Sequence, residues 1–214
     1  MIKSNHRLVR IAEVALVLVI GFGAALYQSG WALHQERVLH RPLPQPWLSD
    51  AKLLKLAAFE LVVLAVIAII GRLRGWSFAA FGWRVSWMTT SVGFALFLIG
   101  FLADRLLPIG FHFRGNLSWP VLLPAMFINA FFEETLEVGY VFRAFGSFST
   151  WLALAVSAGL RATLHLYAGP PAVLAILGGG ILYGLAYWRW KSLWPLFLAH
   201  LALDLLVLAP LLGS

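Results

Sequence analysis

The feature that most constrains this chain is the recurrence of apolar runs long enough to cross a lipid bilayer. A spanning helix needs about 20 largely apolar residues. Such runs cover approximately residues 9–29, 52–71, 88–107, 119–142, 149–168, 172–188 and 193–212. Of 214 residues, 61% are hydrophobic and 12% charged, where soluble domains carry roughly 25% charged residues. A soluble core of this size could not hide so much apolar surface, whereas a bilayer accepts it as solvent. The expected fold is all-α: a polytopic membrane helix bundle of about seven to eight transmembrane helices. It forms a single integral membrane domain over residues 1–214.

The segments between the runs read as connections. Pro42, Pro44 and Pro46, with mixed charges, mark 31–50 as a loop. Arg72, Arg74, Trp76, Arg84 and Trp87 give 72–87 the composition of the headgroup layer, where Trp and Arg are favoured. An eighth, re-entrant or interfacial helix at 74–87 is one reading of that segment. Pro108, Gly110, Gly115 and Asn116 mark a turn region at 108–118, and Pro170 with Pro171 breaks the chain after the fifth run. Lys3, Arg7 and Arg10 precede the first run as in a signal peptide. No small-residue cleavage site with a polar mature segment follows, so the run is expected to stay as the first helix.

Cys is absent, which removes disulfides and Cys-ligated metals. The net charge is +7. In so apolar a chain it reads as a topology signal and as attraction to anionic membrane lipid, with no nucleic acid partner. An inside N-terminus puts Lys3, Arg7, Arg10, Arg72, Arg74, Arg84, Arg143, Arg189 and Lys191 on the cytoplasmic side. Arg37, Arg41, Lys52, Lys55, Arg105 and Arg114 then lie at the outer boundary. The excess favours a cytoplasmic N-terminus in the cell (plasma or inner) membrane.

Charges inside the runs carry the functional information. Each costs at least ~2.5–3.5 kcal/mol at the bilayer centre and normally faces a protein interior or a water cavity. The chain has nine Asp and Glu in all, and Glu133, Glu134 and Glu137 crowd together in the fourth run. Glu133 and Glu137 are four apart and share a helical face, which Tyr140 extends; Glu134 and Val138 fall on the adjacent stripe. Arg161 with His165, and His200 with Asp204, repeat the four-residue spacing on two other runs. Three helices thus each present a polar pair, enough to close a polar pocket inside an apolar bundle. Isolated Glu13 and Glu60 read as packing or helix-terminal residues.

The chemistry open to this pocket is limited. Ser147 and Ser157 have no basic partner at close spacing, so a seryl nucleophile is disfavoured. A carboxylate general base with histidines suits attack by an activated water. Proton-coupled carriers also use buried Glu, Asp and His, but the chain shows neither the internal repeat nor the paired broken helices of a transporter.

The stretch Phe131-Phe132-Glu133-Glu134-Thr135-Leu136-Glu137-Val138-Gly139-Tyr140-Val141-Phe142-Arg143 resembles the first motif of the CAAX-protease and bacteriocin-processing (CPBP, Abi) intramembrane proteases. That motif reads EExxxR followed by Gly and an aromatic. Arg161-Ala162-Thr163-Leu164-His165-Leu166-Tyr167 is similar to the second motif, FxxxH. The stretch from Gly178 through Gly184, Trp188 and Leu193-Trp194-Pro195 to His200 and Asp204 is similar to the third, HxxxN or HxxxD. With a juxtamembrane element at 74–84, the resemblance covers residues 74–208, the expected protease core. It implies an intramembrane endopeptidase in which Glu133 activates water, Glu134 assists, His165 orients the water or assists the base, and His200 and Asp204 bind the oxyanion. It leaves metal use open. Zn would be held by His165 and His200 with a carboxylate as third ligand, and the reading with no obligatory metal is preferred. The implied substrate is a membrane-associated protein or peptide, lipidated or carrying a C-terminal sorting tail.

Two positions depart from the pattern. Val138 stands where the motif has Arg, and Arg161 where it has Phe. Glu137 also takes a place usually apolar or aromatic. The expectation is that Arg161 replaces the lost Arg by pairing with Glu134 or Glu137, both then supporting the site. The alternative is a catalytically inactive family member acting as a bacteriocin-immunity or chaperone-like membrane protein.

Overall fold

The computed structural model of the chain describes residues 2–40, 47–107, 113–146 and 148–213. Its order is α1 Ile2–Arg37, β1 Trp47–Ser49, α2 Asp50–Leu73, α3 Trp87–Leu106, β2 Arg114–Asn116, α4 Trp119–Glu133, a π-helix Glu134–Tyr140, α5 Val141–Phe145, α6 Thr150–Leu164, α7 Pro170–Trp190 and α8 Trp194–Leu208. Short 3-10 turns occupy Phe78–Phe81, Leu166–Ala168 and Ala209–Leu211. The fold is an all-α bundle, as the apolar runs require.

The helix starts are written locally. Ser49 caps α2 by accepting from the Lys52 backbone N–H, with Asp50 in the first turn, where the helix dipole favours an acid. Ser86 and Thr89 close a reciprocal capping box on α3. Pro170 and Pro195 sit in the first turns of α7 and α8, where a missing N–H costs nothing.

Five helical segments among the described residues are long and apolar enough to span a bilayer: Ile11–Arg37, Asp50–Leu73, Trp87–Leu106, Pro170–Trp190 and Trp194–Leu211. The other two expected runs form helices of a different kind. Thr150–Leu164 has only 15 residues, and the rod over 119–145 is interrupted by seven residues of π-helix. Leu16, Val62, Phe94 and Leu174 are exposed on the outer faces of α1, α2, α3 and α7, a surface that suits lipid and not water. The chain is a multi-pass membrane protein.

Some sequence readings of the connections change. α1 continues to Arg37, so 31–37 is helix and not loop, because Trp31-Ala32-Leu33 extends its apolar run. Pro42, Pro44 and Pro46 lie outside the described residues, as do Pro108 and Gly110. Gly115 and Asn116, read as turn residues, are in β2. Between α2 and α3 only the Phe78–Phe81 3-10 turn forms, so no eighth helix occupies 74–87.

Both ends of the bundle are tied. At one end β1 pairs in parallel with β2, Leu117 bridges Leu212, and Asp50 accepts from the Ser118 backbone N–H at 3.0 Å and from its hydroxyl at 2.6 Å. Gly115 is required there: a Cβ would lie 1.9 Å from the Leu48 carbonyl oxygen, and its φ is +153°. At the opposite end the Leu193 N–H donates to the Gly82 carbonyl at 2.8 Å, and the Tyr187 hydroxyl donates to the Phe81 carbonyl at 3.1 Å. These ties place the starts of α2 and α4 and the end of α8 together, so the helices alternate in direction. Laterally, Gly180 and Gly184 of α7, four residues apart, let α6 approach through Ala158 and Leu154, the close packing that small residues allow between membrane helices.

Candidate active site

The π-helix sets the geometry. Its i→i+5 bonding widens the turn, so each residue advances around the axis by less than in an α-helix. All seven of its residues are buried. Gly139 sits where a Cβ would come within 2.9 Å of Leu193 and 3.3 Å of the Phe81 carbonyl oxygen; that contact seats the widened turn against the start of α8. Three glutamates are thereby gathered toward α6 and α8. Glu134, expected on a separate stripe, joins Glu133 and Glu137. Tyr140, expected on the same face, leaves it and donates to Glu13 at 3.1 Å. The cause is the change of helical period within the motif.

α6 supplies the cation. One terminal nitrogen of Arg161 lies 2.5 Å from Glu134 Oε1 and 2.8 Å from Glu137 Oε2. Both carboxylates are fully buried, and the guanidinium stacks over the Tyr183 ring at 5.0 Å. Val138, at the position of the motif Arg, is wholly buried in the apolar core. The charge absent from the carboxylate helix arrives from the neighbouring one.

α8 supplies the imidazole. His200 Nδ1 meets Glu134 Oε1 at 2.8 Å, while Nε2 stands 3.6 Å from Glu133 Oε2 and 3.4 Å from Asp204 Oδ2. Both ring nitrogens thus face carboxylate oxygens. Asp204 and Glu133 are partly open, with side chains 27% and 17% exposed, against 0% for Glu134 and Glu137. The cluster has a closed side, where charge is neutralised, and an open side, where a substrate could meet Glu133, His200 and Asp204.

His165 caps the end of α6 and holds its Nδ1 2.8 Å from the Arg161 backbone carbonyl. A carbonyl only accepts, so Nδ1 carries the proton and Nε2 of the neutral ring is an acceptor. Glu133, Arg161 and His200 act on it electrostatically. Ser157 is buried in α6, and Ser147 lies outside the described residues.

Zinc at this site would take His165 and His200 with a carboxylate as third ligand. Among the described residues no three His, Asp or Glu side chains are grouped to hold a metal ion. The Nδ1 atoms of His165 and His200 are engaged by the Arg161 carbonyl and by Glu134, which leaves only Nε2 of each ring to ligate a metal, and Arg161 already pairs with Glu134 and Glu137. As arranged, the donor set does not fit a tetrahedral zinc site.

Two residues escape sequence reading. Asn129, one turn before Glu133, donates through Nδ2 to Glu133 Oε1 at 3.2 Å and to Glu60 Oε1 at 2.7 Å. Glu60, read as an isolated packing residue, therefore belongs to the cluster. The available signal is an amide four residues before Glu133 inside an apolar run. Glu13, also read as isolated, pairs with Arg74. That tie and the Tyr140 hydroxyl strap α1 to the π-helix at the bundle end opposite the strands.

A family model described as Type II CAAX prenyl endopeptidase Rce1-like matches residues 114–206, from β2 through most of α8. It includes all seven acidic, basic and imidazole residues singled out in the polar cluster by sequence. No curated protein and no solved structure matches the chain.

Proposed function

We propose that this chain, whose residues 114–206 match the Rce1-like model of CAAX endopeptidases, is such an endopeptidase and cleaves its substrate with a water activated by Glu133. The observation that carries this reading is the convergence of Glu133 Oε2 on His200 Nε2, 3.6 Å apart, with Asp204 Oδ2 3.4 Å from the same nitrogen. Glu133 Oε2 has no hydrogen-bond partner, which leaves its lone pair free to take a proton. His165, which acts on Glu133 electrostatically, orients the same water or assists the base. As the water oxygen attacks the scissile carbonyl, its proton passes to Glu133 and negative charge develops on the carbonyl oxygen. His200 Nε2 donates to that oxygen. Asp204 orients the imidazole when ionised and donates to the oxyanion only when protonated, since a carboxylate only accepts. Glu133 then returns the proton to the leaving amine, as a general acid–base pair must.

Glu134 assists without touching the substrate. Held by Arg161 and His200 at 2.5 and 2.8 Å, it fixes the imidazole and carries a charge the guanidinium offsets. Glu137 shares the same guanidinium. No step is routed through a metal. The substrate class is a membrane-associated protein or peptide with a lipidated or sorting-signal tail, and the setting is the cell membrane with the N-terminus in the cytoplasm, surrounded by lipid.

The experiment is cleavage of a membrane-anchored peptide by the full chain in lipid vesicles, with products mapped by mass spectrometry. Glu133→Gln keeps the shape and removes the base, and the expected loss is ~10²–10⁴-fold in kcat. A wild-type chain that leaves such peptides intact, with a cellular effect unchanged in Glu133→Gln, would instead establish the non-catalytic immunity or chaperone-like role. The Arg161 pairing argues against that role, because the charge lost at Val138 has been replaced.

A further inference from the structure

We infer that Glu60 and Asn129 form a positioning pair that sets the carboxylate of Glu133, a proposal that rests on Glu133 being the base. Glu60 lies near the middle of α2 and is 1% exposed. An acid at such a place in an apolar helix is costly, and packing alone would be served better by Leu or Met. It has no ion-pair partner among the described residues. Its hydrogen bond comes from Asn129 Nδ2, and Glu133, His200 and Asp204 are its charged neighbours.

An amide nitrogen carries two hydrogens. One serves Glu60 Oε1 at 2.7 Å, and the other points to Glu133 Oε1 at 3.2 Å. The carboxyl of Glu60 dictates which end of the Asn129 amide faces the cluster. Turned the other way, the amide oxygen would oppose Glu133 Oε1, acceptor against acceptor. With the nitrogen inward, one oxygen of Glu133 is anchored and the other is directed toward His200. Glu60 thus acts through Asn129 on a group two side chains away, and touches neither water nor substrate.

The test combines kinetics with a readout that needs no activity. In vesicles, Glu60→Leu and Asn129→Leu are expected to lower kcat by ~10- to 100-fold, the scale of a misplaced catalytic group, with KM little changed. The double variant should be no slower than Asn129→Leu, since both act along one path. Glu60→Gln keeps an acceptor for the amide and should recover most of the loss. In parallel, asparagine-selective ¹⁵N labelling reports the side-chain amides of Asn5, Asn116 and Asn129, with the Asn129 signal identified by its loss in Asn129→Leu. That signal should move in Glu60→Leu and in Glu133→Ala.

Unchanged kcat in Glu60→Leu, while wild type cleaves and Glu133→Gln does not, would overturn the positioning role and leave the endopeptidase reading standing. An Asn129 signal unmoved by Glu60→Leu would overturn the pair itself. A wild-type chain without cleavage overturns both the enzyme reading and the role built on it.

Discussion

Replacing Arg161 with methionine tests whether the relocated charge supports the cluster. The Arg161 side chain is 9% exposed and reaches two fully buried carboxylates at 2.5 and 2.8 Å. Removing one partner of a buried ion pair leaves an uncompensated charge and costs ~3–5 kcal/mol. The cost should fall at the upper end, since two acids lose their cation together. Glu134 keeps His200 at 2.8 Å, whereas the only ion pair of Glu137 among the described residues is with Arg161. A second variant follows from that asymmetry. Arg161→Met with Glu137→Met removes cation and stranded acid together, and apolar replacement of a buried pair is often neutral. It should lie within ~1.5 kcal/mol of wild type. The assay is equilibrium unfolding in mixed micelles followed by circular dichroism. A loss of ~4 kcal/mol is close to a thousandfold in the folded-to-unfolded ratio and is easily resolved. A cost below ~1 kcal/mol for Arg161→Met, no larger than one ordinary hydrogen bond, would refute the reasoning, as would a double variant no more stable than the single one. The exchange of the motif Arg at 138 for Arg161 would then carry no energetic content.

Two further outcomes follow from the same geometry. His200→Ala removes the proposed oxyanion donor, so kcat should fall ~10²–10³-fold with KM nearly constant; a loss expressed mainly in KM would move His200 to substrate binding. Gly180→Leu forces a side chain where a Cβ already lies 3.0 Å from the Ala158 Cα. Overpacking there should cost ~1–3 kcal/mol in the unfolding assay, and an unchanged midpoint would show that α6 and α7 do not rely on this contact.

Helix positions were legible in the sequence because they depend on local composition. Apolar length, the Ser49 and Ser86 caps and the prolines at 170 and 195 all act within a few residues. The His200 and Asp204 pair was legible for the same reason: α8 keeps the α period, and four residues apart means one face. The pairing of Arg161 with the glutamates was inferable from a missing charge on one helix and an extra one on another.

Tertiary structure decided the rest. Whether Glu134 or Tyr140 joins Glu133 depends on the π period of Glu134–Tyr140, which follows from how Gly139 seats against Leu193 and Phe81. No spacing rule within the motif reveals that choice. Glu60 and Asn129 stand 69 positions apart, and only the packing of α2 on α4 turns an isolated acid and an isolated amide into neighbours of Glu133. A sequence determines which polar groups must be hidden from lipid; the packing of helices determines which of them meet, because hydrogen bonds between helices depend on rotations and translations that no single helix encodes.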